Sequence, residues 1–473
     1  MNVRASHYQF MFPFLLKEKL IDDLKLTLLR EGFEFFKLRE ESQGERFYGE
    51  QHIRHRKLEK FFLPNIEQMM FPESMEEQKN IRRFTKVTDY SGELSSEFLT
   101  MPFHIPSIDI VICPFQIGIM TIRVKLPDDL SFTDSLEFAD VFRTLEPLEK
   151  EDAAKILSGD HEYSRMRDFV FEELVPSLRH FVAYQDEQAS YFGSLPFFMD
   201  EKMYVISYVS LDSDHEITHT DLYRTGHLYG YNRKGEERTG PPNPAFLERY
   251  YDNSVYDAWA DDTYYGVTAY NCYCLTKSDD ADLREMMVNE MYGTQYYLIF
   301  LCFFYKIVLM KLMHIQSDTN INQDAEQIED LIVDITEFSS NYFFPEVNTS
   351  TFGRNMFEIA MNVFQTERLQ SHLLNTLETL YQNHEKLVSK RSNYLLQVLT
   401  IYSVISGVLG MNLVVDDVKN GWDWDKVLHF SSIEYIGLFF ILSAIVISLA
   451  MGYYFVRQYV REYRKFKKKI KKA

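Results

Sequence analysis

An α/β domain, a long helical stalk and two C-terminal transmembrane helices, assembled as a symmetric homo-oligomer, form the fold class that this sequence predicts. Three observations predict it. Two apolar runs near the C-terminus, 394–415 and 433–456, are each long enough to cross a bilayer. A proline-free helical pattern runs into the first of them. The stretch before that pattern mixes strand-like and helix-like segments, as a layered α/β domain does.

Taken in order, residues 1–284 read as a cytoplasmic α/β sensor domain, divisible near residue 200. The opening apolar patch is too short and too soon interrupted for a signal peptide. Residues 81–85 and 108–113 have strand-like composition, and 116–126 is the clearest strand by alternation and β-branching. Helices are expected over 135–145 and 163–179, and a further strand over 204–211. Residues 240–244, Gly-Pro-Pro-Asn-Pro, are a break. A strand-like pattern resumes over 264–275.

Residues 285–393 read as a helical region and stalk. The helix near 285–316 has an apolar centre, but Lys306 and Lys311 interrupt it, so a buried helix is expected rather than a span. A second, acidic helix covers about 321–338, and the aromatic turn 343–348 ends it. Beyond it, Met356, Ala360, Val363, Leu373, Leu377, Leu380 and Leu387 recur at helical spacing, with a gap near 366–370. A continuous helix over 355–412 would be roughly 85 Å long. With a single apolar stripe it needs partners, hence a symmetric bundle.

The transmembrane helices 394–415 and 433–456 are joined by an outer loop, 416–432. The formal net charge is −20, unevenly spread. Of 50 Lys and Arg and 70 Asp and Glu, the tail 457–473 holds nine and one, leaving residues 1–456 at −28. The positive-inside rule therefore puts both termini in the cytoplasm of a multi-pass inner-membrane protein. An acidic body disfavours nucleic acid as a partner, and the bilayer is the partner expected. The four cysteines suit a reducing compartment.

Asn393, Leu396, Thr400, Ser403 and Gly407 share one helical face through the first span, and Asn412 follows five residues on. Hydroxyls and amides facing lipid are costly, whereas around a central axis they make rings of oxygen ligands. Small-residue helix packing is the plainer alternative. Leu396, bulky and near the cytoplasmic mouth, would gate such a pore by dewetting. Asp416, Asp417, Asp423 and Asp425 in the outer loop would concentrate cations.

Gly410-Met411-Asn412 closes the first of two C-terminal spans, after a long helical run. In this the region from about Gly293 to the C-terminus resembles the CorA family of divalent-cation channels. The resemblance implies a homopentamer, selectivity at Gly410, Met411 and Asn412, transport of Mg²⁺, and closure by regulatory Mg²⁺ on carboxylates of the cytoplasmic domains. Asp324, Glu326, Glu329 and Asp330 are candidates for those ligands, with a solvated helix face as the alternative. Leu409 stands where the family has an aromatic residue, and the outer loop lacks the usual Met-Pro-Glu.

Two further segments bear on function. His215-Glu216-Ile217-Thr218-His219 fits the HExxH zinc-hydrolase signature, but Ile217–Thr220 is strand-like, and the signature needs a helix. Residues 223–234 are basic and aromatic within an acidic body. There Arg224, His227, Tyr229, Arg233 and Lys234 could hold a phosphate and stack on a base, or simply make a domain contact. Some proteins resembling CorA act as membrane effectors in antiviral systems of the type III CRISPR kind. A pore opened by a nucleotide messenger is therefore the alternative to a self-regulated Mg²⁺ channel, with a membrane-anchored zinc hydrolase more remote.

Overall fold

The structure is a computed structural model. It describes residues 1–49, 51, 53, 56–147, 154–159, 161–183, 202–212, 216–241, 243–318 and 325–410, and single positions at 431, 432, 435, 436, 438, 439, 442, 443, 446, 453 and 457. Two compact units are found, Met1–Glu378 and Thr379–Ala473.

The first unit is α/β and is built on one mixed sheet. Its strands are β1 (Asn2–Leu15), β2 (Glu34–Phe35), β3 (Arg82–Ser95), β4 (Thr100–Cys113), β5 (Ile117–Lys125), β6 (Leu130–Ser131), β7 (Lys155–Ser158), β8 (His161–Tyr163), β9 (Tyr204–Leu211), β10 (Val255–Ala260), β11 (Thr263–Val267) and β12 (Asn271–Thr276). The order is β10-β11-β12-β9-β1-β5-β4-β3-β7-β8, with β2 on β3 and β6 on β1. Strands from before and after residue 200 thus share a single sheet. Among the described strands only the β9–β12 pairing is parallel, and the long crossover it requires carries the helices His219–His227 and Pro244–Ser254.

β1 is central, paired with β9 on one side and β5 on the other. Its Pro13 removes a backbone donor, which a strand flanked on both sides tolerates poorly. Pairing with β9 ends at Met11, so Pro13 lies where only β5 is alongside.

The helices used below are α1 (Ile21–Arg30), α2 (Phe132–Phe142), α3 (His219–His227), α4 (Pro244–Ser254), α5 (Ala281–Glu290), α6 (Tyr296–Asp318), α7 (Ala325–Asn341), α8 (Thr351–Phe364) and α9 (Thr366–Gly410). A π-helical turn, Met291–Gln295, joins α5 to α6. One sheet face is apolar. Tyr8, Phe10, Phe12, Ile108, Ile110, Ile122 and Val124 are buried there in one cluster with α2 residues Leu136, Phe138 and Phe142. The opposite face is polar and is covered by the π turn and α6. Gln9 Nε2 donates to the Met291 carbonyl at 3.1 Å, Thr121 Oγ1 and the Tyr296 hydroxyl are 3.1 Å apart, and Lys311 Nζ reaches Gln116 Oε1 at 2.9 Å.

By length and composition, Ala281–Ser317 is the one helix among the described residues apolar enough to cross a membrane, and 67% of its apolar window is buried inside the protein. Tyr296–Tyr305 are all buried. Tyr305 meets Phe338 of α7, and Phe303 meets Phe364 of α8, at ring distances of 6.0 and 6.2 Å. This helix is the core element of the first unit, as its two lysines led one to expect.

Two local readings differ. The expected helix over 163–179 is broken into β8, the short turns Met166–Asp168 and Phe169–Leu174, and Leu178–Phe181, with Pro176 in the break. The strand-like stretch 264–275 is borne out as β11 and β12, which pair antiparallel. The expected uninterrupted helix from 355 is cut at Gln365. Its φ of +55° is left-handed, and the Thr366 hydroxyl bonds back to the Met361 carbonyl at 3.2 Å. From there α9 runs unbroken over 45 residues to Gly410.

Candidate functional site

The polar sheet face carries a buried charge network. Asp109 on β4 is enclosed by Arg123 of β5 and Arg83 of β3. Arg123 Nη1 donates to Asp109 Oδ1 at 3.0 Å, its Nη2 donates to Oδ2, and Arg83 Nε lies 3.0 Å from the same Oδ2. Thr85 Oγ1 donates to Asp109 Oδ1 at 2.7 Å. All three charged side chains are at most 4% exposed. Burial alone would raise the Asp109 carboxyl, but the guanidiniums of Arg123 and Arg83 outweigh it and hold the carboxyl below its ordinary value. Burial also opposes the charge on both arginines, and Asp109 more than offsets it. Two cations therefore face one anion, and Arg123 Nε is left with no hydrogen-bond partner.

Aromatic hydroxyls share this excess positive charge. Arg83 donates to the Tyr297 hydroxyl, and to that of Tyr48 at 2.9 Å. The Arg123 guanidinium lies 4.8 Å from the Tyr48 ring centre, close enough for a cation–π contact.

Beside this network opens a cavity of about 600 Å³. Strand register builds its basic wall. His7 of β1 pairs with Lys125 of β5, and Lys125 pairs with His104 of β4, so three basic residues form one row across three adjacent strands. Tyr48 and Tyr292, both almost fully buried, also border it. The Tyr48 and Tyr292 ring centres are 5.0 Å apart, and His7 Nδ1 is 3.2 Å from the Tyr292 hydroxyl. Asp89 is the acid at the rim, 3.4 Å from His104 Nε2. Sequence reading missed this site. Its signal was present as Thr121, Arg123 and Lys125 alternating in an otherwise apolar strand, a pattern that ordinarily marks a solvated face.

The basic-aromatic segment 223–234 is placed differently from what a phosphate site needs. Thr218 and Asp221 form a capping box that starts α3, so 219–227 is helical and not strand-like. Arg224 is buried and donates to Thr133 Oγ1 of α2 at 2.9 Å, with Glu237 3.6 Å away. The Tyr231 backbone N–H donates to Glu137 of α2 at 2.8 Å, and its hydroxyl donates to Asp134 at 2.5 Å. His227 stacks on Tyr223 at 4.0 Å, and burial lowers its pKa. Arg233 and Lys234 are exposed in the following turn. Arg238, unremarked in the sequence, covers the Tyr229 ring at 3.5 Å beside a smaller cavity of about 390 Å³. The segment thus docks α3 and its following loop onto α2.

In the HExxH stretch, Glu216 precedes the cap and His219 is the first residue of α3, so these two do not share a helical turn. His215 lies outside the described residues. Glu329 and Asp330 are exposed on α7, whose Ile328, Leu331, Ile335 and Phe338 are buried. Glu326 belongs to the same helix, and Asp324 lies outside the described residues. Among the described residues, no three His, Cys, Asp or Glu side chains are grouped to hold a metal. Cys272 and Cys274 are both buried on β12, and Cys272 accepts a hydrogen bond from Gln295.

Leu396, Thr400, Ser403 and Gly407 are exposed on α9, and Gly410 is its last residue. Thr400 Oγ1 donates to the Leu396 carbonyl at 2.7 Å, which satisfies its proton and leaves oxygen lone pairs. Met411, Asn412, Asp416, Asp417, Asp423 and Asp425 lie outside the described residues. No protein-family profile, curated protein or solved structure matches this chain.

Proposed function

We propose that this protein is a CorA-like homo-oligomeric channel for divalent cations, Mg²⁺ first, gated by its N-terminal domain. The observation that carries the reading is the course of α9. It is a single helix over Thr366–Gly410, and Asn412, outside the described residues, follows Gly410 by two in the sequence. Its final turns expose large apolar side chains such as Leu395, Ile401 and Val404 together with Thr400, Ser403 and Gly407. That mixture suits a helix with lipid on one side and a polar axis on the other. Asn412 oxygens would ring a hydrated cation, since Mg²⁺ keeps most of its water.

The test is Mg²⁺ flux into liposomes holding the full chain, with Mg²⁺ varied on the side of the N-terminal domain. Flux that falls as that Mg²⁺ rises, and changes at least severalfold in Asn412→Ala, is the expected result. Flux indifferent to Asn412→Ala refutes the pore assignment.

A further inference from the structure

The turn between β4 and β5 is built against its own sequence. Cys113 pairs with Ile117, so Pro114, Phe115 and Gln116 make the turn. Phe115 and Gln116 have φ of +61° and +52°, two consecutive residues in the left-handed region. Hairpin turns normally place glycine or asparagine at such positions, and a phenylalanine or a glutamine stays there only when its surroundings hold it. We infer that this turn is a strained latch between the sheet and the helices α6 and α7, and that Lys311 of α6 is its pH-sensitive pin.

Contacts from three elements outside the hairpin hold the turn. Lys311 Nζ donates to the Phe115 carbonyl and, at 2.9 Å, to Gln116 Oε1, so one side chain grips both left-handed residues. The Phe115 ring meets Phe338 of α7 and Tyr342 just beyond that helix, both edge-on, with ring centres 5.8 and 5.3 Å away. The Leu16 N–H donates to the Gln116 carbonyl at 2.8 Å, which ties the latch to the end of β1. A backbone in a sparsely populated region persists only while such contacts over-determine it, so whatever weakens the pin frees the turn.

Lys311 is the titratable member of the latch. Burial pushes its pKa down to about 8, against the pull of Asp334 on α7 and of Glu18 in the short turn Glu18–Leu20 after β1. The β4–β5 turn itself brings no charge, only a carbonyl and a side-chain amide. Below pH 8 the ammonium makes charge-assisted hydrogen bonds to both, at a cost in lost hydration. Above it the neutral amine still has two N–H donors for the same two acceptors, but those bonds are weaker and the attraction to Asp334 and Glu18 is gone. The sign for the whole fold is opposite. The native state releases this proton before the unfolded chain does, so the hydration cost is complete below pH 8 and fades as pH rises through 10.5. In mildly alkaline solution the grip on the turn therefore loosens while the fold as a whole gains stability.

The experiment uses the full-length protein in detergent and reads the pin and the latch separately. For the pin, melting temperatures of wild type, Lys311→Met and Lys311→Arg are compared from neutral pH to about pH 10, so that all other titrating groups cancel in the differences. Wild type should rise by a few degrees relative to Lys311→Met over that range, and Lys311→Arg, which keeps its charge throughout, should not. A wild-type difference that is flat with pH overturns the pin. For the latch, hydrogen–deuterium exchange of the peptide covering 112–118 is followed and corrected for the intrinsic effect of pH. It should quicken above pH 8 in wild type, and at neutral pH it should be about tenfold faster in Lys311→Met, as expected for a lost charge-assisted bond. Where Lys311→Met does not fold, Gln116→Ala removes one of the two acceptors and should also quicken exchange at neutral pH. Exchange indifferent to pH and to these variants overturns the latch, even with a titrating Lys311.

Discussion

Asp109 shows how much one residue can decide in this protein. Its carboxylate is the single anion that the network offers to Arg83 and Arg123, and none of the three is more than 4% exposed. Removing one partner of a buried ion pair leaves an uncompensated charge and typically costs about 3–5 kcal/mol. Asp109→Asn should therefore lower the melting temperature of the purified protein well beyond what an isosteric change does at a surface. The sign with pH also follows. The folded pKa of Asp109 lies below its ordinary value of about 3.9, so its contribution is complete above that value and fades as pH falls through the depressed one. The difference between wild type and Asp109→Asn should stay constant at neutral pH and shrink only in acid. A variant as stable as wild type at pH 7 would show that the network carries no such energy. These residues were hard to read because a charged residue alternating in a strand ordinarily faces solvent, and nothing local to 116–126 says that a helix from residues 296–318 will cover it. Arg224 misled in the opposite direction. It looked available in a basic segment, but the Thr133 hydroxyl that holds it is 91 residues away.

Among the elements, the join between α8 and α9 is the most sensitive to its backbone. Gln365 adopts φ +55°, a region glycine enters freely and β-branched residues enter only at a cost of order 1–3 kcal/mol. Gln365→Gly should leave the melting temperature unchanged or slightly raised, and Gln365→Val should lower it. Equal stability of the two variants would mean that the break is not held in that conformation. The sequence hinted at this join, because the apolar stripe lapses over 366–370 just where the chain turns. It could not show the turn itself, since no proline or glycine marks it. The strands were legible where β-branched residues recur, although β5 and β9 are buried on both faces. β5 and β9 stood out, and the helix α6 was correctly read as core from its two lysines. β1 was missed as a strand because its Pro13 argues against a central position. Only the ending of the β9 pairing at Met11 reconciles that proline with the sheet.

For the molecule as a whole, the surface of α9 argues for assembly. Tyr394, Leu395, Ile401 and Val404 are each more than half exposed in a single chain. The same helix exposes Thr400, Ser403 and Gly407. Lipid can cover the first group, but it is a poor solvent for the second, because hydroxyls and helix backbone left facing hydrocarbon are unfavourable. On the proposed channel reading, a lone chain in a bilayer would leave one set of residues wrongly placed, and a ring of chains would satisfy both. Each copy would turn its polar stripe, with Leu396 on it, to the shared axis and the first group outward. Symmetric closure then follows because every copy presents the same two surfaces. The CorA resemblance makes the expected number five. Native mass spectrometry of the detergent-purified chain should give a single closed oligomer. Cysteine placed at Ser403, in a variant whose four native cysteines are replaced, should cross-link between copies through the axis. Cysteine at Ile401, two residues along the helix, should cross-link far less. A monomeric mass, or equal cross-linking at both positions, would remove the axis on which the pore depends.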